Sequence, residues 1–217
     1  MNPHRRTILA ASTAALLAAC ASAPTGTVSR QSPNDGPFRT SSVDGQDGVM
    51  LEGHDAVAYF TAREAVRGNP AHQLRHGGVL WYFASADNRA AFVREPARYM
   101  PQFGGFCSNG VNYAIPWGGG GAPNTWRIYR GKLYVFGGQK ARDHFEMETE
   151  KNLERAHFYW NTELAGASAV VKRYQRLVLR VAHYKSDATL QAEWESKRAA
   201  GTLPMMPGAP QVVPAAP

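Results

Sequence analysis

The sequence predicts an α+β fold: a small antiparallel sheet of two hairpins with packed helices, plus an appended C-terminal amphipathic helix. Three observations carry this. Two pairs of β-prone runs are each joined by a glycine turn, at Gly77-Gly78 and at Arg130-Gly131-Lys132. A helix start signal, Ser85, follows the first pair directly. From about Lys140 onward apolar residues recur near helical spacing. The length, 217 residues, suits one ordinary domain with tails.

Taken in order, residues 1–20 open with His4, Arg5 and Arg6, followed by an apolar run from Ile8 to Ala19. A positive head and an apolar stretch too short to span a bilayer permanently make an export signal. The run closes on Leu17-Ala18-Ala19-Cys20, which resembles the lipobox of bacterial lipoproteins. The resemblance implies that Cys20 is acylated and tethers the chain to a membrane. Ala21, rather than an aspartate, follows the cysteine, so the expected address is the cell envelope, at the outer membrane facing the periplasm. Arg5-Arg6-Thr7-Ile8-Leu9 also looks like a twin-arginine export motif, and either export route is open. Loss of residues 1–19 removes Arg5 and Arg6 and lowers the formal charge from +7 to +5. That modest basic excess suits anionic membranes or acidic partners, and no nucleic-acid motif accompanies it.

Residues 21–48 are rich in Ser, Thr, Pro, Gly and Asp and read as a flexible tether. The globular part is expected over 49–165. Within it Val57-Ala58-Tyr59-Phe60 reads as a short buried strand, and a helical turn follows through Arg67. The runs His72–His76 and Val79–Ala84 form the first hairpin; His72 and His76 face one side and read as structural. The helix from Ser85 to about Glu95 buries Phe92 and stops at Pro96. Gly104–Asn124, which contains Gly118–Gly121, reads as a loop with the character of a lid. Trp126–Tyr129 and Leu133–Phe136 form the second hairpin. Phe145, Leu153, Ala156 and Trp160 mark the buried face of a helix to Leu164. Tyr59, Trp81, Tyr82, Phe83 and Phe92 are the expected core, with Asn88 and Arg89 satisfying buried polar groups. No internal repeat stands out.

A C-terminal helix is expected over 166–198. Val170, Tyr174, Leu177, Val178, Val181 and Tyr184 form its stripe, with Lys172, Arg173, Arg176, Arg180 and Lys185 largely off it. Such a helix either packs its stripe on the domain with solvated charges, or lays Val170–Lys185 on anionic lipid or an acidic partner. Residues 199–217, with five prolines, read as a disordered tail.

Several motifs occur together and in order. They are Gly53-His54-Asp55-Ala56-Val57-Ala58-Tyr59-Phe60, then Trp81–Phe92 with Pro96, Tyr99, Pro101 and Gln102, then Gly104-Gly105-Phe106-Cys107. Trp126 with Gly131-Lys132-Leu133-Tyr134 and a terminal Tyr159-Trp160 complete the series. The series resembles the YHS-domain family in its bacterial secreted branch, over roughly residues 49–162. The resemblance implies a compact α+β domain, and the family includes metal-handling modules. This chain departs from that metal-binding branch, having Asp55-Ala56-Val57-Ala58 for Asp-Pro-x-Cys and Phe83-Ala84-Ser85 for Phe-Cys-Ser, so the thiolate pair is missing.

The candidate chemistry therefore centres on Cys107. Once Cys20 is acylated it has no disulfide partner. It follows Gly104-Gly105 and is expected to start a helical turn, which would lower its pKa and favour thiolate. The resemblance places the His54-Asp55 loop at the opening strand, facing the Cys107 loop. An imidazole, a carboxylate and a thiolate together suit a zinc or copper ion. Three functions are open: a binding module holding a metal or small cofactor near Cys107, a thiol-dependent enzyme, or a structural interaction lipoprotein with Cys107 buried. No Gly-x-Ser-x-Gly motif or lipase-like triad order supports hydrolysis, and enzymatic activity is the lesser expectation.

Overall fold

The computed structural model describes residues 38–113, 121–165 and 175–204, and the architecture is α+β as expected. Cys20, the export signal, most of the tether, Gly118–Gly120, Val170, Lys172, Arg173, Tyr174 and the tail beyond 204 lie outside the described residues. Strands β1 (Thr40–Val43), β2 (Gln46–Met50), β3 (Asn69–His76) and β4 (Val79–Phe83) form a sheet in the order β1-β2-β4-β3. Strands β5 (Ala122–Tyr129) and β6 (Lys132–Phe136) form a separate antiparallel pair. Helices α1 (Ala58–Thr61), α2 (Ala86–Arg94), α3 (Pro96–Tyr99), α4 (Ser108–Tyr113), α5 (Gln139–Glu146), α6 (Thr149–Tyr159) and α7 (Asp187–Ala199) pack around them.

Several expectations are corrected. The folded part begins inside the supposed tether, because Asp44-Gly45 (φ 51° and 75°) makes a tight turn joining β1 to β2. Asp-Gly is itself a hairpin signal, outweighed in the sequence reading by the polar composition around it. The first sheet is mixed, since β2 runs parallel to β4 with Val49 opposite Leu80. Val57–Phe60 contributes to a helical turn rather than a strand, its N–H groups gathered by Asp55. The Gly104–Asn124 loop contains α4 and the start of β5.

The hairpin and cap readings hold. Gly77 and Gly78 turn β3 into β4, and the Ser85 hydroxyl accepts the Asn88 N–H at 3.1 Å to open α2. Such a cap is worth about 1 kcal/mol. The expected core residues are buried, Phe92 completely, with its ring 4.8 Å from Trp81 and 5.2 Å from Phe83. Asn88 Nδ2 donates to the buried Asp55, as expected, whereas Arg89 Nε donates to the exposed Gln73 carbonyl and satisfies no buried group.

The domain does contain an internal repeat. In the first hairpin Asn69 pairs with Phe83, Leu74 with Trp81, Arg75 with Leu80 and His76 with Val79. In the second, Ala122 pairs with Phe136, Arg127 with Tyr134, Ile128 with Leu133 and Tyr129 with Lys132. Each of these pairs maps onto its counterpart by adding 53, and both ladders are irregular after their first pair; the second adds Trp126–Val135. Helix α2 maps onto α5, and the contact of Phe83 with Phe92 recurs as Phe136 with Phe145 at 5.3 Å. The parallel pair Val49–Leu80 recurs as Pro101–Leu133. Two left-handed turns also correspond, Leu51-Glu52-Gly53 (φ 51°, 51°, 79°) and Phe103-Gly104-Gly105 (φ 56°, 59°, 81°). Gly68 and Gly121 match as well: a Cβ on either would lie 2.5–2.6 Å from Tyr82 or Val135, so the strands close only over glycine.

The repeats bury adjoining cores, one around Trp81, Phe83 and Phe92 and one around Phe103, Phe136, Phe145 and Trp160. The single C-terminal helix of the sequence reading is broken. Residues 175–179 are helical, Arg180 takes φ 55°, and a new helix, α7, starts where the Ser186 hydroxyl accepts the Thr189 N–H. Leu190 of α7 packs with Tyr113 and Met147.

Candidate functional site

Cys107 sits one residue before α4, and its carbonyl accepts the Val111 N–H at 3.0 Å, so it does start a helical turn. Its environment differs from the expectation. The residue is 5% exposed, its Sγ accepts the Gly137 N–H at 3.1 Å, and burial pushes the thiol pKa up. Hydrogen bonds from the Gly110, Gly137 and Asn109 N–H groups act the other way but do not prevail. Desolvating a thiolate costs more than a one-and-a-half-turn helix end returns. Cys107 is thus a neutral, sheltered thiol.

Asp55 occupies the corresponding place in the first repeat. One carboxylate oxygen accepts from Val57 N (2.8 Å) and Ala58 N (3.3 Å), the other from Ala84 N (2.8 Å) and Asn88 Nδ2 (2.6 Å). Val57 and Ala58 stand two and three residues after Asp55, as Asn109 and Gly110 stand after Cys107, and Ala84 is the counterpart of Gly137. Both side chains therefore staple a helical turn to the end of the second strand of a hairpin. With four donors in place, the Asp55 carboxylate has no free face for a cation. His54 is half-buried and its Nδ1 lies 3.0 Å from the Leu51 carbonyl, which that nitrogen meets as donor. Among the described residues no three His, Cys, Asp or Glu side chains are disposed to hold a metal ion, so His54, Asp55 and Cys107 do not assemble into the expected ligand set. Each belongs to its own turn: the symmetry that relates Asp55 to Cys107 places them in different halves. His72 and His76 share the inward side of β3, and the His76 ring meets Phe92 edge-on at 5.5 Å.

The residues that do converge lie elsewhere. Arg176, read as part of a solvated charged face, is 4% exposed. Its Nη1 donates to the Val111 carbonyl at 2.7 Å, it pairs with Glu163 at 3.3 Å, and its guanidinium lies over the Tyr159 ring at 4.7 Å. His183 Nε2 lies 3.0 Å from the Asn112 carbonyl, and its ring stacks on Tyr159 at 5.6 Å. Burial, with the nearby Arg155, lowers the His183 pKa, so this ring is neutral and Nε2 is the donor. Asn112 continues into the interior, donating to Asn152, which also accepts from Tyr113 OH.

With Arg176 turned inward, the neighbouring apolar side chains turn out. Val178 is 77% exposed and Leu179 69%, with Leu177 and Tyr184 partly so, and Phe158 of α6 is 58% exposed beside Tyr159. The expectation that the stripe packs on the domain is reversed at Leu177, Val178 and Tyr184. A cavity of about 260 Å³ opens among Tyr159, Glu163, Arg176, Leu179 and Arg180, next to the π-helical turn Trp160–Leu164 that ends α6. No signal in the sequence marked His183. Arg176 escaped notice because a helical wheel assumes an unbroken helix, and the break at Arg180 invalidates it.

No helix among the described residues is long and apolar enough to cross a membrane. No family model, curated protein or solved structure matches the chain.

Proposed function

We propose that this chain is a YHS-like envelope lipoprotein, tethered through Cys20, whose domain is an interaction module rather than a metal-binding or thiol-dependent one. The observation that carries the reading is the run of outward apolar side chains Leu177, Val178 and Leu179. Exposed apolar side chains gathered in one place are the mark of a contact surface. Arg180, whose guanidinium lies 4.4 Å over the Tyr184 ring, gives the face a positive edge suited to anionic lipid or an acidic partner. Cys107 and Asp55 serve as matched staples inside the scaffold, which explains why a free thiol survives in an oxidising compartment without chemistry.

The test is a photo-reactive side chain placed at Val178 and, in a second preparation, at Val93, which is 55% exposed on α2. Envelope cross-links formed at Val178 and absent at Val93 support the reading. Equal or absent cross-linking at the two positions overturns it. A parallel measurement of bound metals on chelator-free protein addresses the displaced alternative. Stoichiometric zinc or copper that vanishes in Cys107→Ser would restore the metal-holding module.

A further inference from the structure

Between Arg176 and His183 the chain is fastened at both ends and exposed in the middle. The Arg176 guanidinium donates to the Val111 carbonyl at 2.7 Å, and His183 Nε2 lies 3.0 Å from the Asn112 carbonyl. Both anchors therefore grip the C-terminal end of α4. Arg180, at φ 55°, turns the chain between them, and Leu177, Val178 and Leu179 stand exposed on the stretch so bracketed. With both ends held, these side chains need little further ordering when they meet a partner.

Their spacing points to the kind of partner. Leu177, Val178 and Leu179 are consecutive residues of a helical stretch, so they fan through about 200° around its axis. A helix that docks in a protein groove presents residues three and four apart, which share one face. Consecutive exposed apolar side chains suit a fluid that closes around them, as the interfacial zone of a bilayer does. Next in the chain come Arg180 and Tyr184, the guanidinium 4.4 Å over the ring. Arginine and tyrosine settle at headgroup level, with the apolar body inward and the polar end toward phosphate or water. The neighbouring acids are already engaged, Glu163 by Arg176 at 3.3 Å and Glu193 by Lys185 at 2.7 Å. Among the described residues Arg180 forms no ion pair, which leaves this tip a positive charge for an anionic surface.

We infer that residues 177–184 dock the domain on an anionic phospholipid bilayer, with Leu177, Val178 and Leu179 entering the interface and Arg180 meeting lipid phosphates. This rests on the reading of the chain as a lipoprotein held through Cys20, and names the partner of its exposed face. Residues 21–37 separate Cys20 from Phe38, a reach of at most about 60 Å. The tether keeps the domain beside the bilayer at high effective concentration, where a three-residue tip suffices.

The experiment uses the full chain, purified from the bacterial envelope and reconstituted in vesicles of phosphatidylethanolamine and phosphatidylglycerol that contain bromolipids. Mass spectrometry of the same preparation reads the acyl group on Cys20 separately. An environment-sensitive fluorophore is attached at V178C or, as control, at V93C; both positions are exposed, and the buried Cys107 stays unlabelled in folded protein. Emission at position 178 should be blue-shifted and quenched, and that at position 93 neither. Quenching should be lost when phosphatidylcholine replaces phosphatidylglycerol, and weakened in Arg180→Gln. Quenching that is equal at the two positions, absent at 178 or indifferent to phosphatidylglycerol overturns the assignment. If Val178 then still cross-links to an envelope protein, the interaction module stands with a protein partner; if it cross-links to nothing, both readings fall.

Discussion

In the first repeat a carboxylate, Asp55, gathers the N–H groups of Val57, Ala58 and Ala84; in the second a thiol, Cys107, meets those of Asn109, Gly110 and Gly137. The backbones around them agree in pairing, turn and helix, so the difference lies in the side chains alone. A carboxylate holds its donors by charge-assisted bonds, roughly twice as strong as neutral ones. A buried thiol is a weak acceptor that fills the space as a small apolar group. The same architectural position can thus be served by a strong polar staple or a weak one, and a cysteine there is no sign of chemistry.

The comparison is broken most directly in the cores. Phe92→Ala and Phe145→Ala remove equivalent, fully enclosed rings, and each should cost about 3–5 kcal/mol in urea denaturation. A loss confined to one of them would mean that the halves do not share the stability of the domain. Next in size, Asp55→Ala strands four buried or half-buried donors and should cost about 3 kcal/mol. Cys107→Ala loses one weak acceptor and a little volume, so about 1 kcal/mol is expected, read in the same way. If the two losses proved equal, the thiol would be bearing charge after all. Folded protein should also resist thiol-specific reagents at Cys107 until it is denatured.

The smallest effect is on pH dependence. The His183 pKa in the folded chain is lowered by burial and by the cations Arg155, Arg176 and Lys151, against the opposing hydrogen bond to Asn112. The folded state therefore binds its proton less readily than the unfolded chain does. This contribution to stability is complete above the ordinary histidine value of 6.5 and is lost as pH falls through the lower, folded value. His157, lowered by burial and Lys132, acts in the same sense. His183→Gln should flatten the acid-side slope of Tm against pH, with residual slope from His157. An unchanged slope would show that His183 does not fasten the 175–184 segment to α4.

Much of the fold was legible because its signals are local. Gly77-Gly78, Ser85 and Gly131 each act through the conformation of one or two residues, and all did what their chemistry requires. Val57–Phe60 misled because a four-residue apolar run fits a strand or a buried helical turn equally well, and the Asp55 cap decides. The repeat was hidden because hairpin register and turn conformation are shared far more widely than residue identities. Phe83 matches Phe136 and Phe92 matches Phe145, but Asn88 faces Ala141 and Leu74 faces Arg127. The candidate site suffered most: whether Cys107 is reactive depends on burial by residues distant in sequence, and whether Arg176 points in or out depends on the break at Arg180.

The entry of the chain into the domain has a mechanical consequence. Phe38 and Arg39 are clasped at two points: the Arg39 N–H donates to the Gly104 carbonyl at 2.8 Å, and the Phe38 ring lies against Gly77. Beyond them β1 forms the outer edge of the sheet, paired to β2 from Thr40 opposite Met50. A pull on the residues before Phe38 would load these contacts and the edge ladder before any strain reached the aromatic interior. Strand β1 would then act as a fuse, peeling from β2 while both repeats stay closed.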